Sequence, residues 1–121
     1  MARVLVAEDD ALLSSFLVKR LQVEGYETRA AYDGQATIDA VKNWKPDLLL
    51  LDILMPVKDG YDVLAEMRAD SAVASTPVLV VSNLSADQDI QRAKEFGVKY
   101  FVTKADTTPE AVAQKVRDML A

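Results

Sequence analysis

The stretch that most constrains this 121-residue chain is Leu48-Leu49-Leu50-Leu51-Asp52. Four leucines in a row cannot alternate between a dry face and a wet one, so they read as a strand buried on both sides. An ionised carboxylate left unpaired in a low-dielectric interior is too costly to persist. Asp52 must therefore stand where the strand leaves the core. A strand covered on both faces needs helices above and below it, which calls for a parallel sheet with crossover connections.

The remainder of the chain is patterned to supply them. Arg3–Ala7 reads as a first strand that ends in Glu8-Asp9-Asp10. A helix is expected from about Ala11 to Glu24, with Leu12, Leu13, Phe16, Leu17, Val18 and Leu21 as its apolar stripe. Lys19 and Arg20 mark its wet side, and Gly25 is placed to stop it. Glu27–Ala31 is the most polar strand candidate and belongs at a sheet edge. Asp33 is positioned to cap a helix from Gly34 to Trp44, whose apolar side is Ala36, Ile38, Ala40 and Val41. After the leucine strand and a loop to Gly60, a helix over Tyr61–Ala69 turns Val63, Leu64 and Met67 inward. Pro77–Ser82 reads as a second strand buried on both faces. Ser85 and Gln88 have the spacing of a capping box for a helix over Ala86–Phe96, with Gly97 as its stop. Tyr100–Thr103 is the fifth strand and ends at Lys104. Thr108-Pro109 opens a last helix to about Leu120, with Val112, Val116, Met119 and Leu120 on its inner face.

Five strands alternating with five helices through short connections give an α/β fold with a doubly wound parallel sheet. The polar second strand at an edge suits the order 2-1-3-4-5 of flavodoxin-like folds. The length suits a single domain over residues 1–121.

Composition narrows the chemistry. A formal charge of −5 argues against nucleic-acid binding as the main output, since phosphate neutralisation needs clustered Lys and Arg. No apolar run approaches the roughly 20 residues of a membrane span, and no signal peptide opens the chain, which together suggest a cytoplasmic protein. The sequence has neither Cys nor His, so disulfides, thiolate metal sites, cysteine nucleophiles and Ser-His-Asp triads are excluded. Carboxylates, Lys, hydroxyls and a metal ion remain.

In an open parallel sheet the binding crevice lies beyond the carboxyl ends of the strands, where the winding reverses. In this order that point falls between strands one and three, and Glu8, Asp9 and Asp52 converge there. At ~5 Å and an effective dielectric near 20, each like-charged pair repels by roughly 3 kcal/mol. A hard divalent cation, most simply Mg²⁺, resolves the conflict. Strand four adds the Ser82 hydroxyl and strand five the Lys104 ammonium. Together these groups suit a phosphoryl group, with Asp52 as a nucleophile that would form an aspartyl phosphate. Singly, each has an ordinary structural reading: a Glu-Asp pair caps helices, and strand ends are solvated. Four separate strands ending in the groups that one phosphoryl site requires favour the joint reading.

At this point the chain resembles the receiver domains of two-component response regulators. The resemblance runs from Val4 to Leu120 and rests on Val4–Asp10, on Leu51-Asp52-Ile53-Leu54-Met55-Pro56 with Gly60, on Val78–Ser82 and on Gly97–Lys104. It implies that Asp52 accepts phosphate from a histidine kinase or phosphotransfer protein. It implies that Asp9 and Asp52 hold Mg²⁺ directly, Glu8 through water and Leu54 through its backbone carbonyl. Ser82 would be the switch hydroxyl, Lys104 the partner of the phosphate, and Phe101 the switch aromatic. Signal would leave through the last helix pair and strand five. Such a chain is no enzyme beyond its own phosphorylation and dephosphorylation.

Four positions stand out against the family pattern. Ala105 stands where a cis proline is usual, so a trans bond and an altered loop are expected. Asn83, after the switch hydroxyl, is larger than usual. Leu54 and Leu84 are apolar where relatives often carry polar groups, which predicts a water-poor, long-lived acyl phosphate. The competing readings are weaker. A haloacid-dehalogenase-type phosphatase needs a second Asp where Leu54 stands. A flavin carrier needs a phosphate loop where Glu8-Asp9-Asp10 would repel phosphate. A degenerate receiver serving as a phosphorylation-independent binding module is the main alternative. No output segment follows Leu120, so the chain reads as a stand-alone receiver or as one piece of a larger protein.

Overall fold

The computed structural model describes residues 1–121. Strands β1 (Arg3–Ala7), β2 (Glu27–Ala31), β3 (Leu48–Leu51), β4 (Val78–Ser82) and β5 (Tyr100–Thr103) alternate with helices α1 (Ala11–Val23), α2 (Gly34–Trp44), α3 (Gly60–Ala69), α4 (Asp87–Glu95) and α5 (Pro109–Leu120). The strands form one parallel sheet in the order β2-β1-β3-β4-β5. This is the doubly wound order expected from the sequence.

The leucine strand sits at the centre. Leu49 and Leu51 face one apolar layer with Ile38, Val41, Val63, Leu64 and Met67. Leu48 and Leu50 face the other with Leu17, Leu21, Val112 and Val116. Alternate leucines thus feed opposite cores, which is why the run has no polar member. The Asp52 N–H donates to the Ala7 carbonyl at 3.0 Å, so the β1–β3 ladder reaches one residue past Leu51.

Two expectations need correction. The apolar stripe of α1 is too wide for the seat available to it. Ser14, Leu17 and Leu21 are buried and Leu13 and Val18 flank them, leaving Leu12 and Phe16 exposed. Ser85 and Gln88 form no capping box: α4 starts at Asp87, with Ala86 at the cap and no side-chain cap bond. The capping box belongs to α3, where Asp59 and Asp62 each accept from the other's backbone N–H. β5, at the sheet edge that the expected order gives it, is only partly covered, with Tyr100 exposed. No helix is long and apolar enough to cross a membrane.

The loop between Asp52 and α3 is braced from outside. The Gly34 N–H donates to the Pro56 carbonyl at 3.2 Å. A β-carbon on Gly34 would lie 2.0 Å from the Lys58 carbonyl oxygen. That brace holds Val57 at φ +71°, closed by a Lys58 N–H bond to the Pro56 carbonyl at 2.8 Å. A β-branched residue rarely adopts this γ-turn geometry unaided. Substituting Gly34→Ala forces the loop off α2 and is expected to destabilise the fold by about 1–3 kcal/mol, an overpacking cost read from the urea midpoint.

Candidate functional site

Each candidate residue lies at or just past the carboxyl end of a strand. Glu8 follows β1, and its N–H donates to the Ala31 carbonyl at 3.1 Å, which extends the β1–β2 pairing past Ala7. Glu8 and Asp52 are buried at 2 % and 3 % exposure, while Asp9 is exposed. One carboxylate oxygen from each of the three lies within 4.8 Å of the others. Lys104, the first residue past β5, reaches across β4 into this cluster. Its Nζ lies 2.6 Å from Glu8 Oε1 and 2.7 Å from Asp52 Oδ2.

The remaining carboxylate oxygens are also held. Glu8 Oε2 accepts from the Asp10 N–H at 3.0 Å, and Asp52 Oδ1 from the Leu54 N–H at 3.2 Å. Burial pushes the Glu8 carboxyl up to about 7; the Lys104 and Asp10 hydrogen bonds oppose this and the Asp52 charge adds to it. Burial by itself would lower Lys104, but its bonds to Asp52 and Glu8 outweigh that and raise it.

Ser82 ends β4. The register pairs Leu51 with Val80, which sets Val81 level with Asp52 and Ser82 one residue beyond. The residue is fully buried, and its Oγ accepts from the Leu84 N–H at 3.3 Å, leaving the hydroxyl hydrogen free to donate. Phe101 pairs with Val80 in β5 and is half-buried against the same apolar layer as Leu84. Every peptide bond is trans, including Lys104–Ala105, and one 3-10 turn spans Lys104–Asp106.

The donor set suits a hard divalent cation. All the candidate ligands are oxygens, two of the acids are buried, and an ammonium already lies between them. The Leu54 carbonyl accepts no backbone N–H.

The profile of the family described as "Response regulator receiver domain" matches residues 4–117. The chain belongs to that family. The DNA-binding response regulator MtrA of Mycobacterium tuberculosis is 35% identical over 112 residues, which are 93% of this chain and 48% of MtrA. The receiver thus spans about half the length of the curated relatives it matches. The chemotaxis response regulator CheY4 of Vibrio cholerae superposes with a TM-score of 0.89 at 25% identity, covering 98% of each chain. The receiver domain of a signal transduction histidine kinase from Syntrophus aciditrophicus superposes at 0.88 and 28% identity, covering 99% of this chain and 90% of that one. Receiver domains are signalling modules of two-component systems and interact with histidine kinases.

The structure brings Glu8, Asp9, Asp52 and Lys104 into one cluster and sets Ser82 on the adjoining strand. Phe101 stands farther down β5, level with Val80. The sequence reading missed Gly34, whose contact with Lys58 spans 24 positions, and Tyr61, whose hydroxyl reaches the Asp89 carbonyl at 3.2 Å. Asp33-Gly34 and Asp59-Gly60 signal only helix starts when read locally. Lys104→Ala would leave Glu8 and Asp52 buried without their cation. We expect a loss of about 3 kcal/mol in metal-free urea unfolding, with part of it recovered when Glu8→Gln is added.

Proposed function

We propose that residues 1–121 act as one phosphoacceptor receiver domain, taking a phosphoryl group from a histidine kinase or phosphotransfer protein onto Asp52. The observation that supports this most is the Lys104 ammonium held between Glu8 and Asp52. It marks a buried acidic pair matched to a cation at the mouth of the central strand.

In this reading Asp52 and Asp9 would hold Mg²⁺ directly, Leu54 through its carbonyl and Glu8 through water. When bound, the ion neutralises the acids and the phosphoryl oxygens. The Leu54 N–H orients Asp52 Oδ1, and the other oxygen attacks phosphorus. The bond from phosphorus to the donor imidazole breaks as the acyl phosphate forms. Lys104 then pairs with the phosphoryl group, and Ser82 donates its hydroxyl to a phosphoryl oxygen. Drawing Ser82 toward that oxygen shifts the Leu84 loop it now holds and frees Phe101 to turn inward. The β5 and α5 side then presents a changed surface to a protein partner. The chain works in the cytoplasm, and its charge of −5 supports output through protein contact with no direct contact to nucleic acid.

Acetyl phosphate with Mg²⁺ should add one phosphoryl group to the intact mass of the chain, and Asp52→Asn should add none. An unmodified wild-type chain would instead favour the phosphorylation-independent binding module. Leu54 is 53 % exposed beside Asp52 and Leu84 is half-buried. Leu54→Asn and Leu84→Glu should each hasten loss of the acyl phosphate several-fold, timed by the same mass measurement; rates at or below wild type would refute the shielding role.

A further inference from the structure

α4 is the least anchored helix in the molecule. It buries one residue, Ala93, where each of the other helices buries three or more. Its N-terminal cap makes no side-chain bond. The side-chain hydrogen bonds and the cation–π contact that reach it come from one face of α3. Tyr61 and Arg68 lie seven positions, or two helical turns, apart on that face. The Tyr61 hydroxyl lies 3.2 Å from the Asp89 carbonyl and 3.4 Å from its Oδ1. The Arg92 guanidinium sits 4.0 Å from the centroid of the Tyr61 ring. At the other end, Arg68 Nε donates to the Phe96 carbonyl at 2.7 Å.

The same α3 is joined rigidly to the acceptor strand. The Gly60 N–H donates to the Ile53 carbonyl at 2.8 Å. A β-carbon on Gly60 would lie 2.7 Å from Ile53 Cα and 2.8 Å from the Asp52 carbonyl oxygen. Tyr61 is the next residue and is 5 % exposed, so its ring is fixed by packing. Burial and the Asp89 charge raise the Tyr61 hydroxyl above its ordinary value, which keeps it a neutral donor. Beyond Phe96 the molecule opens into a cavity of about 720 Å³ bordered by Arg68, Phe96, Gly97 and Tyr100. The carboxyl end of α4 therefore has room to move.

We propose that Tyr61 is a positioning residue that couples Asp52 to α4 through the Asp89 and Arg92 contacts, in parallel with the Ser82–Phe101 route. The coupling rests on the phosphoacceptor reading above. The chain Asp52–Gly60–Tyr61–Asp89 is contiguous and needs no contribution from the β4–α4 loop. A shift at the acceptor loop moves the first turn of α3, and the Tyr61 hydroxyl hands that shift to the helix with the fewest competing anchors.

The test uses Tyr61→Phe, which keeps the ring and removes only the hydroxyl. Amide hydrogen exchange is measured over Asp87–Glu95 in wild type and variant, with and without beryllofluoride plus Mg²⁺. Loss of one hydrogen bond should speed exchange in α4 by about fivefold while the other helices stay unchanged. Acetyl phosphate should still load Asp52 at the wild-type rate, and the response of α4 to beryllofluoride should fall by about half or more. Wild-type exchange in α4, equal acceleration in all helices, or an undiminished response would overturn the coupling. A wild-type chain that takes no phosphoryl group would overturn the acceptor reading itself, and that result is visible before the variant is compared.

Discussion

The contact on which the site depends is the Lys104 ammonium lodged between two buried carboxylates. Glu8 and Asp52 come from the ends of neighbouring strands, and their separation is set by the β1–β3 register. At that spacing two ionised acids repel, and burial raises the cost. One cation that bridges them at 2.6 and 2.7 Å reverses the sign of the interaction. The strands then bring acids together without tearing the sheet apart. The same cation defines the chemistry, because a group able to compete for those oxygens must carry positive charge or bring its own.

Much of the fold was legible in the sequence because burial on both faces leaves a plain signature. The leucine run and Val78–Val81 have no polar alternation, and they became β3 and β4, two of the three inner strands. The misreadings arose where pattern alone is degenerate. Leu12 and Phe16 fit an apolar stripe as well as Leu17 and Leu21 do, and only the seat on the sheet distinguishes them. Ser85 had the right spacing for a cap, but the helix began two residues later, and a spacing rule cannot see where a loop ends.

The acids, the serine and the lysine of the site were legible for a related reason. Each is a polar residue that terminates an apolar strand, so the sheet order alone predicts convergence. The supporting contacts were not. The fit of Gly34 against Lys58 and of Gly60 against Ile53 depends on how helices abut loops from other parts of the chain. The Tyr61 hydroxyl reaching Asp89 is of the same kind, since 28 positions separate the two residues. Such contacts leave no local pattern, because an ordinary glycine or tyrosine at a helix start looks the same in sequence. The position two past Asp52 shows the opposite case: Leu54 is exposed beside the carboxylate and offers no acid, as a phosphatase of the dehalogenase type would require.

The distance along the chain between the acids and their cation has a consequence for the order in which the molecule is made. Lys104 lies 52 positions after Asp52. A nascent chain that has emerged only as far as β4 already carries Glu8, Asp9 and Asp52, but without the ammonium that reconciles them. The central strands must meet before the group that relieves their charge has been synthesised, or wait for it. Closure of β5 onto β4 then both finishes the sheet and delivers the missing cation, so a complete site is itself a report that synthesis has passed Lys104 and that the last strand has docked.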